Sequence, residues 1–178
     1  MKFLIILFLT FQLFVPSSNE GEKIVWNENY KLTWDDFKGK PKIGYGYVAS
    51  TSSGISFSYY YSENNGKINF EATVKSNFYP DNSWYIPLEA SEYILKHEQT
   101  HFDISELHAR MLRKKISEIT SSKEVKKEIE TLYNDAEEKR REMQHLFDAE
   151  SDHSKIKEKE LAWEAYIVKQ LLIYERWK

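Results

Sequence analysis

Two histidines four residues apart, His97 and His101, lie in a segment whose apolar residues recur at helical spacing. The segment reads His-Glu-Gln-Thr-His, so the carboxylate of Glu98 directly follows the first imidazole. Because positions i and i+4 share one face of an α-helix, both imidazoles can bind one metal ion from the same side. The flanking residues predict one continuous amphipathic helix over residues 88–119. Any fold of this chain must therefore bring a third group to that helix face.

Zinc is the metal that this pattern favours, since imidazole nitrogens suit Zn²⁺ and such a helix is known from metallopeptidases. A catalytic zinc usually has three protein ligands and one position for water. Glu98 projects from the adjacent flank of the helix, where it can take the proton of a zinc-bound water. We therefore predict that His97 and His101 are zinc ligands and that Glu98 is the general base.

The third ligand must come from a distant part of the chain. His108 lies on the same face as His101, but seven residues of helix rise about 10.5 Å, which is too far for a bond of about 2 Å. His153 is the favoured candidate, because it lies in a polar segment at 147–154 between two predicted helices. His145 and Glu150 are the alternatives.

Other polar residues of the helical half have less certain roles. Asp103 lies near the ligand face and is a candidate hydrogen-bond partner for an imidazole. Glu106 lies on the opposite side of the helix, which favours a solvated or salt-bridged carboxylate. An oxyanion donor is also expected, and the sequence leaves Tyr133, His108 and Arg110 open.

The N-terminus has the pattern of an export signal. Residues 1–17 have a single Lys, an apolar run and small residues suited to cleavage, which predicts a signal peptide and a secreted or periplasmic protein. An uncleaved N-terminal anchor is the alternative. The chain has no Cys, which excludes a lipoprotein anchor and disulfides. Its formal net charge of −3 gives no electrostatic footprint for nucleic acid, and we expect no stable membrane association after cleavage.

The first half of the chain predicts strands. Alternating apolar residues from Ile55 to Tyr61 and from Ile68 to Val74 flank Asn65-Gly66, the strongest short signal for a hairpin turn. A two-residue loop there pairs residue 61 with 70, 59 with 72 and 57 with 74, so that both apolar rows share one face. A short strand at 24–26 and another at 84–86 are also expected. Residues 33–36 predict a capping box on a single helical turn.

The second half predicts three helices: the metal-site helix, a helix with apolar residues at helical spacing from Val125 to Phe147, and a last helix over about 155–176. The predicted fold is α+β, with an N-terminal antiparallel β-sheet followed by three α-helices and a zincin-like metal-site helix. One domain over 18–178 is expected, β-rich at 24–86 and helical at 88–177.

Three segments resemble one family, the bacterial domain of unknown function 922. Residues 95–110, which contain His97-Glu98-Gln99-Thr100-His101, are similar to its central motif, and residues 32–39 are similar to its N-terminal motif. Residues 147–153, Phe-Asp-Ala-Glu-Ser-Asp-His, are similar to a C-terminal motif that usually reads Tyr-Asp-x-Glu-Thr-x-His-Gly. Ser154 stands in the place of the final Gly. The family's members are described as predicted secreted zinc-dependent proteases, so the resemblance implies a peptide or protein substrate and supports His153 as a ligand.

Two other functions remain open. A secreted binding module can carry a structural or vestigial metal site, although such a site does not need a carboxylate beside its first ligand. Glu98 with His101 and Glu142 with His145 form two Glu-x-x-His pairs, the spacing of dinuclear carboxylate proteins. That architecture needs four helices, whereas the pattern here predicts three. The substrate and the oligomeric state are not predicted.

Overall fold

The structure, a computed structural model, describes residues 21–44, 46–119 and 124–178. The predicted signal peptide lies outside these residues. Within them, no helix is both long enough and apolar enough to cross a membrane.

The strand-rich half forms two small antiparallel sheets. In the larger sheet, β4 (Lys67–Phe78) lies between β3 (Ser53–Asn64) and the short β1 (Ile24–Val25). The smaller sheet pairs β2 (Ala49–Ser50) with β5 (Trp84–Tyr85). Single 3₁₀ turns lie between β1 and β2, at Trp34–Asp36, and between β4 and β5, at Pro80–Asn82. The first of these turns has the predicted cap, since Asp36 accepts a 2.7 Å hydrogen bond from the backbone N–H of Thr33.

The hairpin of β3 and β4 has the predicted register. Tyr61 pairs with Phe70, Tyr59 with Ala72 and Phe57 with Val74. At the turn, Asn65 and Gly66 have φ values of 49° and 76°. These left-handed conformations suit Asn and Gly, and they match the right-handed twist of the two strands. The local turn chemistry and the alternation of apolar residues therefore agree on one pairing.

Three helices complete the predicted α+β architecture: α1 (Glu92–Ser117), α2 (Val125–Ser151) and α3 (Lys157–Ile173). A last 3₁₀ turn covers Glu175–Trp177. Helix α1 begins later than predicted, because the Ser91 hydroxyl accepts a hydrogen bond from the Ile94 N–H and caps the first turn. Helix α2 extends to Ser151, so most of the segment predicted as a polar break at 148–154 is helical.

Helix α1 lies at the centre of the molecule. It packs against β3 and β4 on one side and against α2 and α3 on the other. Every residue from 97 to 110 is buried, whereas the sequence predicted an amphipathic helix with one solvated face. The prediction was wrong on this point because helices α2 and α3 pack over α1, and His97 of α1 contacts a carboxylate on each of them.

Three clusters of apolar side chains hold this arrangement. One joins the N-terminal segment and the sheet to α1 around Phe78 and Phe102. A second joins the hairpin, α1 and α2 around Ile55 and Leu112. The third joins all three helices around Phe147, which is fully buried beside the two histidine rings. Burying a side chain of this size stabilises a fold by about 1.5–3 kcal/mol, so Phe147 fixes α2 firmly next to the histidines.

Candidate metal centre

His97, His101 and Asp148 bring one ligand atom each to a common point. The two histidines lie on successive turns of α1, and their Nε2 atoms are 3.3 Å apart. The Oδ1 atom of Asp148, on α2, is 3.2 Å from Nε2 of His97 and 3.0 Å from Nε2 of His101. Among the described residues these three form the group of His, Cys, Asp and Glu side chains that can hold a metal ion.

These separations fit a tetrahedral metal site. Two ligand atoms about 2.05 Å from one metal at a tetrahedral angle are about 3.3 Å apart. The three observed separations of 3.0–3.3 Å lie close to that value. A small adjustment of the side chains therefore places all three atoms at bonding distance from one ion.

A second carboxylate orients the first imidazole. Glu160 is fully buried on α3, and its Oε2 atom is 2.9 Å from Nδ1 of His97. This contact directs Nε2 of His97 toward Asp148 and His101, as hydrogen-bonded partners of metal ligands generally do. The sequence had suggested Asp103 for this role, and that suggestion was wrong. Asp103 instead accepts hydrogen bonds from the Trp26 indole and the Gln99 amide.

Charge is concentrated at this point. Burial disfavours the protonated form of His97, but its hydrogen bonds to Asp148 and Glu160 outweigh burial and raise the pKa of His97 to about 10. Burial opposes ionisation of Asp148 as well, yet hydrogen bonds from His101 and His97 hold the pKa of its carboxyl well below the usual range. Without a metal, an imidazolium and a carboxylate therefore neutralise each other here.

Glu98 and Glu160 each have a buried carboxylate oxygen without a hydrogen-bond partner among the described residues, but of the two only Glu98 lines the cavity. The residue is only 3% exposed, it lines the same cavity as the two histidines, and its Oε2 atom is buried without a hydrogen-bond partner among the described residues. An unpaired buried carboxylate oxygen costs stability, so its retention indicates a partner that the protein alone does not supply. The backbone holds this residue in place, since the Glu98 carbonyl accepts a hydrogen bond from the Thr51 hydroxyl.

The metal group opens into a cavity of about 350 Å³. Its lining comes from α1, from α2, from residues 46–51, which include β2, and from residues 153–155. A cavity of this size and shape can admit a short stretch of extended chain or a small molecule.

His153 lies beside the metal group. Its Nδ1 atom is 3.5 Å from Oδ1 of Asp148, its side chain is 39% exposed, and its ring stacks on Tyr47 at 5.0 Å. The role of His153 as a zinc ligand stays a prediction. The backbone around it is strained, since Asp152, His153 and Ser154 all have positive φ values between 47° and 69°.

The alternative ligands lie farther from the centre. His145 is exposed and lines the outer part of the same cavity. Glu150 is exposed and accepts a 2.8 Å hydrogen bond from the Trp163 indole. Glu142 is also exposed, lines a separate surface hollow, and is not in the described metal group, so only His145 of the second Glu-x-x-His pair lines the cavity of the first.

The suggested oxyanion donors do not line this cavity. The Tyr133 hydroxyl donates to the carbonyl of Ile55. Arg110 is fully buried and binds Glu106 and Glu175, which makes Glu106 the salt-bridged carboxylate that was expected. His108 is buried, as expected for a packed residue.

Sequence reasoning missed Asp148 and Glu160. Asp148 belongs to the family-like segment at 147–153, but it was assigned to a loop, where its direction cannot be inferred. Extending the helical pattern of α2 by one turn beyond Phe147 would have placed Asp148 one turn after Gln144, on the cavity side. Glu160 gave no signal, because its contact with His97 spans 63 residues.

Comparison with known proteins agrees with the resemblance. Residues 28–154 match the family described as bacterial protein of unknown function (DUF922), so the chain belongs to that family. No curated protein and no solved structure matched the chain. The matched segment contains the metal group and ends before α3, which supplies Glu160.

Proposed function

We propose that this protein is a zinc-dependent metallohydrolase that acts on peptides. The observation that carries the proposal is the buried Oε2 atom of Glu98, which has no hydrogen-bond partner among the described residues and lines the same cavity as the convergent His97, His101 and Asp148. A structural metal site has no use for such a group, whereas hydrolysis needs a base close to the reacting water.

The donor set favours zinc. Two imidazole nitrogens and one carboxylate oxygen in tetrahedral arrangement are a common zinc combination, and three protein ligands leave one position open. When bound, zinc lowers the pKa of a coordinated water and polarises a substrate carbonyl. Calcium and magnesium prefer sites made of oxygen alone, so both suit this group poorly.

The protein's own residues handle the proton. Glu98 accepts a proton from the attacking water and then delivers it to the leaving nitrogen, which converts a poor leaving group into an amine. The surrounding burial keeps bulk water from competing for that proton. Glu160 fixes the ring of His97 through Nδ1, so its Nε2 lone pair remains directed toward the site.

The cavity wall provides a place for a peptide. The Val48 carbonyl accepts a hydrogen bond from the Ile86 N–H on the β5 side. Because alternate residues of a strand direct their backbone groups to opposite edges, Ala49 and Thr51 direct theirs away from β5, and both line the cavity. An extended peptide can therefore pair with this edge and lie across the metal group.

Two other strand segments suit a peptide less well. At 67–75, the Val74 carbonyl is occupied by Arg113. Trp84 and Tyr85 do not line the cavity. Export remains part of the proposal, and it rests on the apolar leader at 1–17.

The decisive experiment compares wild-type protein with Glu98→Gln, measuring bound zinc and hydrolysis of a mixed peptide library. Glutamine keeps the size of the side chain but cannot accept the proton, so we expect about one zinc per chain and a loss of hydrolysis of at least about 100-fold. Glu150→Gln is the matched control, because Glu150 is an exposed carboxylate outside the cavity.

Three results would contradict the proposal. Loss of zinc in Glu98→Gln as severe as in His97→Ala would make Glu98 a ligand. A zinc-loaded wild-type protein that cleaves no peptide would favour a binding module with a structural metal. Two irons per chain would favour a dinuclear site.

A further inference from the structure

The outer face of α3 is apolar and exposed. Its inner face buries Glu160, Glu164 and Ile167 against the rest of the molecule. The residues of its outer face that are both apolar and exposed are Leu161, Ala162, Ala165, Tyr166, Val168, Leu172 and Ile173. A surface helix normally presents polar residues to water on this side. The composition of α3 therefore predicts a covering partner.

The exposed area is substantial. Five large side chains of this face, from Leu161 to Ile173, are between 44% and 67% exposed. The apolar face is continuous along the helix, because positions 161, 165, 168 and 172 follow the alternating four- and three-residue spacing of a helix-packing stripe. Contiguous apolar surface of this kind marks an interaction site more often than scattered exposed residues do.

Two opposite charges lie on the centre line of the same face, one near each end of the helix. Glu158 and Lys169 are eleven residues apart, about three helical turns, so their side chains project in nearly the same direction. Both are exposed, and neither forms an ion pair with another residue of the described ranges. Their positions near the two ends of α3 are suited to pairing with a helix of opposite direction.

We propose that two copies of this chain associate through α3, antiparallel and related by a two-fold axis that passes between positions 163 and 164. With this axis, Glu158 meets Lys169 of the partner subunit, and Lys169 meets Glu158 of the partner subunit. Ala162 lies opposite Ala165 of the partner subunit at the crossing point, where small side chains allow close approach. Leu161 lies near Val168 of the partner subunit, because both residues are on the same flank of the face.

The symmetry of this set favours a second copy over other partners. A two-fold interface requires that if residue i contacts residue j, then j also contacts i. Glu158 and Ala162 pair about one axis with Lys169 and Ala165, and all four are exposed. A lipid surface is a poorer match, because it would bury the charges of Glu158 and Lys169 in the middle of the face without partners.

The length of the helix limits the strength of the dimer. Helix α3 spans 17 residues, or about 25 Å, so a single helix pair buries an area at the low end for specific interfaces. We therefore expect a reversible dimer with a micromolar dissociation constant. The contact between Glu160 and His97 lies on the opposite face of α3, so zinc binding should be independent of association.

The test is sedimentation velocity of the purified protein over a range of concentrations, with charge reversals on α3. Lys169→Glu and Glu158→Lys each replace two attractive pairs in the dimer by two repulsive pairs, so each should raise the dissociation constant by about tenfold or more. The double variant carrying both changes restores opposite charges and should return to within about threefold of wild type.

Lys127→Glu on α2 is the matched control, because it makes the same charge change at an exposed site on another helix. Circular dichroism and zinc content confirm that each variant is folded. A protein that stays monomeric at its solubility limit would overturn the proposal. So would a dimer that is insensitive to both single reversals, or a double variant no tighter than the singles. Binding of the monomer to phosphatidylglycerol vesicles through this face would assign the surface to a membrane instead.

Discussion

At the scale of single residues, the first question is whether Asp148 or His153 is the third zinc ligand. Both lie beside the two helical histidines, but only Asp148 places an oxygen 3.0–3.2 Å from both Nε2 atoms. We expect Asp148→Ala to weaken zinc binding by at least about 100-fold, because one of three ligands is lost. We expect a smaller effect from His153→Ala, since its ring stacks on Tyr47. Competition with a chromogenic chelator measures both affinities.

His145→Ala serves as the control for the loss of a cavity-lining imidazole, and zinc affinity should stay at the wild-type value. A greater loss in His153→Ala than in Asp148→Ala would show that His153 turns onto the metal when it binds. That result would restore the sequence-based assignment and make Asp148 a supporting carboxylate.

His108 makes the fold sensitive to acid. Burial, together with the nearby Arg140 cation, lowers the pKa of His108 to about 4, and Glu137 opposes the shift only in part. Between pH 6.5 and 4, the unfolded chain binds a proton at this residue and the folded chain does not. Stability should therefore fall as the pH falls through this window, by up to about 3 kcal/mol from His108.

Urea unfolding at pH 7 and pH 4.5 measures this effect. His108→Gln removes the titrating group, so its stability should fall less than that of wild type between the two pH values. His145→Gln, at an exposed position, should leave the difference unchanged. An identical acid response in wild type and His108→Gln would assign the loss of stability to other groups.

The residues predicted from sequence and those missed differ in the separation, along the chain, of the residues that they contact. His97, Glu98 and His101 form one short motif, whose geometry follows from helical periodicity alone. Asp148 and Glu160 reach the same site only because α2 and α3 fold over α1. No local pattern encodes that packing, which explains why the carboxylates around the motif were assigned wrongly or not at all.

At the scale of elements, the hairpin shows why some features are readable from sequence. The turn at Asn65-Gly66 and the alternation in both strands are local properties, and they fixed the register correctly. The three helices were also predicted from periodicity. The complete burial of α1 was not, because burial depends on which elements cover a face.

The backbone just after α2 is strained at Ser154, and this strain can be tested. Ser154 has φ of 69°, a left-handed conformation that favours glycine, at the position where the family motif usually has glycine. Ser154→Gly should relieve this strain and stabilise the protein by about 1 kcal/mol. The Tyr93 hydroxyl donates a hydrogen bond to the backbone carbonyl of Ser154. Glycine has the same carbonyl, so the substitution retains this contact.

Chemical unfolding compares this variant with wild type. Ser58→Gly is the control, since Ser58 is exposed within β3, where glycine should weaken the strand. Destabilisation by Ser154→Gly would show that the hydrogen bond between the Ser154 N–H and the Ser151 hydroxyl depends on a restricted backbone.

At the scale of the whole molecule, the metal group joins all three helices. Helix α1 supplies both histidines, α2 supplies Asp148, and α3 supplies Glu160 behind His97. The last of these helices lies beyond the matched family segment at 28–154. In this chain, the orientation of a candidate ligand therefore depends on a helix outside that segment.

Zinc should consequently stabilise the assembled fold, and Glu160 should control by how much. At a free zinc concentration of 100 times the dissociation constant, binding contributes about 2.7 kcal/mol, or roughly 5–10 °C in Tm for a chain of this size. Glu160→Gln should weaken zinc binding by about 10–100-fold, because a supporting carboxylate is neutralised. Its zinc-induced rise in Tm should then be about half that of wild type or less. Glu164→Gln changes a buried carboxylate on the same helix that pairs with Lys96, not with a histidine, and should keep the full rise.

Comparing each variant with and without zinc separates this effect from any general loss of stability. Equal rises in wild type and Glu160→Gln would mean that α3 merely covers the site and does not position His97.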